Sequence, residues 1–297
     1  LDAGLRRIPL AALHDGQQFL VEQYSLGYIP SLSLTDTRYR SLHNAQVLAM
    51  GASEFPSGQD PLPAVPLELS TIVGNSQPIA LDTGENSRGQ KSERQPPETS
   101  QIGGLWRGRS FLNQAFTLDN LIRQRHEHPY GIIHLATHAS FTPQQRDEAY
   151  IQFWDRRLSL EGLRQAQWYN SSVVELLVLS ACETAVGDEL AEMGFAGLAV
   201  RSGVKSALAS LWKVSDTATL AIMSQFYRSL KEVPIKSEAL RQAQISMIRG
   251  QVHLPGGQAI DRHGQVSLVP ELNEMGGAQE FSHPYYWAGF TLIVSPF

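Results

Sequence analysis

Val173 to Ala185 reads VVELLVLSACETA. The run is apolar from Val173 to Leu179 except for Glu175, then turns to small residues at Ser180 and Ala181 before Cys182. A run this short, apolar on both faces and bounded by small residues, predicts a strand buried on both sides rather than a helix. A second run, GIIHLATHA from Gly131 to Ala139, has the same character and ends on His138. Elsewhere in the central third, short apolar runs alternate with helical patterns, so the chain reads as α/β, with a parallel sheet covered by helices on both faces.

In an open parallel sheet, chemistry gathers beyond the carboxyl ends of the strands. His138 follows one buried strand by two residues, and Cys182 follows the other in the same way. If those strands are parallel neighbours, they lie about 4.8 Å apart, and both side chains emerge on one rim. Cys182 is the only thiol in 297 residues. A free thiol has a pKa of about 8.5, so an adjacent imidazole is what makes it a nucleophile at neutral pH and later protonates a leaving amine. Backbone N–H groups in the turns at Cys182 and after His138 are suited to an oxyanion. The bland reading stands beside this one: a lone cysteine packs as a small hydrophobe, and a lone histidine in a sheet is structural.

His134 and His138 also form an HxxxH pattern, which zinc sites use on helices. Here the run is a strand, on which four residues span about 13 Å, while two zinc ligands must each come within about 2.1 Å of one ion. No metal is expected, and His134 reads as a buried structural histidine, placed to support the rim from below. No cofactor is called for by the thiol–imidazole chemistry.

The composition narrows the partners. A net charge of −5 and the lack of any Lys/Arg run argue against nucleic acid or an anionic membrane surface, which reward a clustered basic face. At 42% hydrophobic residues the chain can bury a large core. One cysteine excludes an internal disulfide. No apolar run approaches the ~18 residues of a membrane span, and no signal peptide is visible, so the expected location is the cytoplasm. The chain opens on Leu1, and it reads as one domain over residues 1–297 taken from the C-terminal part of something longer.

Outside the central third, RRIPLAALHDGQQFLVEQYSLGYIPS (Arg6 to Ser31) predicts two strands around a His14-Asp15-Gly16 turn. Asn44 to Ser53 predicts a short buried strand, and Pro66 suits the first turn of the helix after it. Residues 82–108 are polar and rich in Gly, Pro, Ser and Gln, which predicts a disordered loop. Thr117, Ser215 and Ser237 are expected N-caps, and Gly250 a helix stop. Residues 251–281 read as a polar insert before a last strand in YYWAGFTLIVSPF.

These residues resemble the CHAT family, caspase-like domains often attached to tetratricopeptide repeats in bacteria. IIHLATHA, VVELLVLSACETA, GFAGLAVRSGVKSALASLWKVSDTATLAIMSQFYRSL, KSEALRQAQISMIRG and HPYYWAGFTLIVSPF carry the resemblance, in matching order and spacing. It implies a caspase-like three-layer α/β/α sandwich with a mainly parallel sheet. It also implies His138 as general acid/base, Cys182 as nucleophile, and an oxyanion hole from the backbone N–H groups of Cys182 and Ala139. Two positions depart from the family pattern: Ala139 stands where relatives carry Gly, and Glu192, Met193 and Gly194 stand where relatives show Gly-Glu-Gly.

Asp188, Glu189 and Glu192 crowd the segment after the cysteine, either as a solvated acidic loop or as a pocket for a basic side chain or cation. Trp212 and Asp216 are candidates for substrate contact, and Asp216 equally suits the first turn of a helix. The expected activity is that of a cysteine endopeptidase acting on a protein or peptide substrate. The alternative is a catalytically silent scaffold or signalling module that binds regulatory proteins, in line with the repeats to which the family is attached.

Overall fold

The computed structural model describes residues 8–29, 40–73, 104–140, 149–165, 173–180, 194–253, 259–260 and 281–293. Its elements are α1 (Leu20–Gln23), β1 (Val47–Gly51), α2 (Val65–Val73), β2 (Gly108–Leu112), α3 (Leu118–Glu127), β3 (Ile132–Ala136), β4 (Ala139–Ser140), β5 (Tyr150–Gln152), β6 (Arg157–Ser159), α4 (Leu160–Gln165), β7 (Leu176–Ser180), α5 (Gly194–Arg201), β8 (Ala207–Ser210), α6 (Asp216–Glu232), α7 (Lys236–Ile248), β9 (Val252–His253), β10 (Ala259–Ile260) and β11 (Phe290–Ile293).

Among the described residues the main sheet runs β11-β8-β7-β3-β1-β2. Every pairing in it is parallel except that of β11 with β8. The chain leaves β1 for β2 on one side and then returns to β3 on the other. That reversal puts a crevice beyond the carboxyl ends of β1 and β3, the place where such sheets bind ligands.

β3 shows why the sheet is buried on both faces. Ile132 and Ala136 join one core, while Ile133 and Leu135 join the other, all at most 1% exposed. Each large apolar side chain so buried is worth about 1.5–3 kcal/mol. The first core is closed by Val65, Leu69 and Ile72 of α2 and by the long apolar faces of α6 and α7. The second is closed by Leu121 of α3 and by Ala196, Ala199 and Val200 of α5. The expected three-layer α/β/α sandwich with a mainly parallel sheet is what these residues form. Thr117 caps α3 by accepting the Asn120 N–H, Ser215 caps α6 by accepting that of Ala218, and Gly250 follows α7 with φ of 64°.

Four local expectations are corrected. The segment around His14-Asp15-Gly16 is not a two-stranded hairpin. A 3-10 helix at Leu10–Ala12 and α1 flank a tight turn, with a single bridge between His14 and Phe19. The run IPLAAL does not alternate, and Pro9 has no N–H to offer a ladder. The turn itself is present: Gly16 has φ of 101°, and Asp15 Oδ1 accepts the N–H groups of Gln17 and Gln18 at 2.8 and 2.9 Å. Second, the end of the 82–108 stretch is structured. Trp106 is 4% exposed and donates its indole N–H to Tyr227 O at 2.9 Å, and Gly108 opens β2. β2 is an edge strand, half-buried throughout, and only its first residue falls within the expected loop. Residues 82–103 lie outside the described residues. Third, Ser237 is not an N-cap; α7 starts one residue earlier, and Ser237 is buried inside its first turn. Fourth, the 251–281 insert contributes an antiparallel pair, β9 with β10, with Val252 2% exposed.

Candidate active site

β3 and β7 are parallel neighbours in the register Ala136↔Ser180. The strand that leads to His138 and the strand that leads to Cys182 therefore end side by side. Thr137 donates its N–H to Ser180 O at 3.4 Å just past the register. Cys182 itself lies outside the described residues, as do Asp188, Glu189 and Glu192.

His138 is partly exposed and held from two directions by the segment that follows β1. Its ring lies 4.6 Å from that of Phe55, tilted 49°, and its Nε2 is 2.7 Å from the backbone oxygen of Asp60. A carbonyl only accepts, so the Nε2 atom carries the proton and donates it. In the neutral ring that leaves the lone pair on Nδ1. The partner is a main-chain oxygen, so no side-chain type at position 60 could have signalled it.

Ala139 opens β4 opposite Ile151 of β5, and the Gln152 N–H donates to His138 O at 2.8 Å. Those two facts make Ala139–Ile151 a pair that exchanges no hydrogen bonds, so the Ala139 N–H points away from β5. Thr137 is fixed to the same small sheet, its hydroxyl donating to Gln152 O at 2.6 Å.

A cleft of about 190 Å³ opens beside His138, beyond the ends of β1, β3, β7 and β8. Asp60, His138, Ser180, Lys213 and Asp216 give it polar groups, and Leu62, Val65 and Phe290 make its apolar wall. Asp216 is the first residue of α6, as its helix-start reading predicts, and it also lines the cleft. Its Oδ2 accepts the Ala64 N–H at 2.6 Å, which ties the start of α6 to the start of α2. Burial pushes the Asp216 carboxyl up to about 7; the Glu68 charge adds to the rise, and the Ala64 hydrogen bond opposes it.

Trp212 does not line the cleft. Its indole N–H donates to Tyr285 O at 2.9 Å and its ring stacks on that of Tyr285, with centroids 6.4 Å apart. A Cβ at Gly289 would come within 2.8 Å of the indole, so the glycine there makes room for it. The tryptophan locks the 283–289 segment to the end of β8 instead of facing the cleft.

Beneath the rim lies a polar cluster the sequence reading did not assemble. Glu68, on α2, is 1% exposed and His134, on β3, is fully buried. Ser180 Oγ donates to Glu68 Oε1 at 2.6 Å, and His134 Nε2 lies 3.1 Å from the same oxygen, off the line that a hydrogen bond needs. His134 Nδ1 is 3.2 Å from Tyr227 Oη on α6. The signal was a carboxylate among the apolar residues of α2: Val65, Leu69 and Ile72 mark the buried stripe, and Glu68 falls beside it.

Among known families, the model of the CHAT domain matches residues 1–295. No curated protein matches the sequence. Among solved structures, the complex of Porphyromonas gingivalis RgpB pro- and mature domains is similar over 93% of this chain, with 10% identity and a TM-score of 0.48; 51% of that chain is covered. The Arg-specific cysteine proteinase gingipain R is similar over 86% of this chain, with 10% identity and a TM-score of 0.46; 50% of that chain is covered. This chain thus spans about half the length of either structure.

Proposed function

The chain belongs to the CHAT domain family, and on that premise we propose that it is a cysteine endopeptidase with Cys182 as nucleophile and His138 as general acid and base. The observation that carries this reading is the His138 Nε2–Asp60 O contact at 2.7 Å, on the strand end beside β7 and at the mouth of the cleft. With Nε2 donating to that carbonyl, the neutral ring offers Nδ1 as the base a thiol needs.

In the reaction, His138 Nδ1 takes the Cys182 thiol proton and the thiolate attacks the scissile carbonyl carbon. The tetrahedral oxyanion is held by the backbone N–H groups of Ala139 and Cys182. His138 returns the proton to the leaving amine as the C–N bond breaks, leaving a thioester on Cys182. A water, deprotonated by His138, then hydrolyses the thioester and regenerates the thiol. The Asp60 carbonyl stabilises the imidazolium that forms twice in the cycle. No step calls for a cofactor.

Asp216 supplies a buried carboxyl to the cleft. Burial raises it to about 7, so its neutral and charged forms lie close in energy at neutral pH. A substrate with a cationic side chain in the cleft would draw it into the charged form, whereas Asp188, Glu189 and Glu192 stay as further acidic candidates on the segment after Cys182. The natural setting of this unit, as a cytoplasmic C-terminal domain behind tetratricopeptide repeats that recruit regulators, belongs to the same reading.

A positional peptide library compared between wild type and Cys182→Ala tests the activity. Cleavage confined to the wild type is expected. Equal cleavage by both proteins, or no cleavage by either while Cys182→Ala keeps its cellular effect, would contradict it in favour of a scaffold.

A further inference from the structure

The proposed peptidase cycle leaves the cluster around Glu68 without a task. A carboxylate buried among three elements costs several kcal/mol to desolvate unless its partners offset that cost. Here the partners are Ser180 of β7 and His134 of β3, with Tyr227 of α6 behind the histidine. Asp216 is the other acid within electrostatic reach. The Ser180–Glu68 distance of 2.6 Å lies in the range of a hydroxyl bound to an ionised carboxylate. Tyr227 is buried and held protonated, by desolvation first and by the Glu68 charge second. Its Oη lies 3.2 Å from His134 Nδ1, the ring nitrogen opposite the one that faces Glu68.

The placement is what matters. Ser180 is the last residue of β7, lines the cleft, and precedes Cys182 by two residues. His134 is on β3, four residues before His138. Val178 pairs with His134 and Ser180 with Ala136, so Ser180 and His134 share the face of the sheet that α2 covers.

We propose that Glu68 is a positioning residue: its carboxylate fastens the end of β7, through Ser180, to His134 of β3, and so fixes the spacing of the strand ends that carry Cys182 and His138. The catalytic consequence rests on the peptidase reading; the clamping of β7 does not. Glu68 acts by charge toward His134 and by accepting the hydrogen bond of Ser180, because its contact with His134 is too poorly aligned to be a hydrogen bond.

Glu68→Gln keeps the shape and removes the charge. Ser180→Ala removes the other end of the clamp with a smaller change, and serves alone if Glu68→Gln fails to fold. In the full chain, either variant is expected to lower kcat for a library-derived peptide on the order of ten- to a hundredfold, with KM within about twofold. The double variant is expected to be no worse than the worse single, since both cut one link. Hydrogen exchange at the β7 C-terminal amides is expected to quicken in both variants while that of edge strand β2 stays unchanged. Exchange at β7 equal to wild type in both variants overturns the clamp, whatever the enzyme does. Quickened exchange with unchanged kcat, or a double variant whose loss is the product of the singles, overturns the positioning role while leaving the peptidase reading intact. If the wild type cleaves nothing, that reading fails on its own and the exchange data still decide the clamp.

Discussion

His134 and His138 lie four residues apart in the chain, yet one is fully buried and the other stands on the rim of a cleft. The buried ring is enclosed by Glu68 and Tyr227 from two helices. The rim ring has one main-chain oxygen and one phenyl face to hold it. The first arrangement encloses its ring between strand and helices; the second leaves its ring at the mouth of the cleft. On the proposed peptidase reading, the same side chain thus takes a structural use in one place and a reactive one in the other.

The comparison breaks first on activity. His138→Ala is expected to cut peptide cleavage by a factor on the order of 10³ or more, while changing stability to urea by less than about 1 kcal/mol. His134→Ala should reverse that order of effects. Removing one partner of a buried pair leaves Glu68 without its neighbour, and a loss of about 3 kcal/mol in urea denaturation is expected.

The pH dependence of stability sharpens the picture at the acidic end of the cluster. Asp216 binds its proton more tightly folded, up to about 7, than in the unfolded chain, whose carboxyl sits near 3.8. Between about pH 4 and 7 the unfolded state therefore holds fewer protons, and stability falls as pH rises through that window, then levels off. The expected drop is on the order of 4 kcal/mol at most, reduced by the part of the carboxyl still in water. Asp216→Asn should flatten that slope in urea titrations run at several pH values. A smaller effect is expected for Tyr227→Phe, which takes the hydroxyl from beside His134 Nδ1 while keeping the ring contacts: about 1 kcal/mol. An effect on cleavage much larger than that loss would move Tyr227 into the same clamp as Ser180.

The layered fold and the pairing of the two strand ends were legible because β3 and β7 are apolar on both faces, a pattern few other structures satisfy. His138 and Asp216 were legible from their places after a strand and at a helix start. Asp60 was not, since its contribution is a carbonyl that any residue could supply. Glu68 was visible only as an acid on an apolar stripe, and its partners come from positions 66 to 159 residues away in the chain. Trp212 has a packing partner in Tyr285 and room made by Gly289, neither of which its place after a strand could signal. β2, a half-buried edge strand, drew no strand reading from the sequence, and the N-terminal turn was real while its flanking strands were not, because Pro9 and the non-alternating run around it offer no ladder.

The central claim is that His138 activates Cys182. Because Cys182 is the only thiol in the chain, a peptide bearing a thiol-reactive electrophile reports on it alone, with the adduct located by mass spectrometry. The account predicts labelling of Cys182 in the wild type, much faster than that of a free thiol at neutral pH, and a fall to the free-thiol rate in His138→Ala. Equal labelling rates in the two proteins, or no labelling of folded wild type, would contradict it.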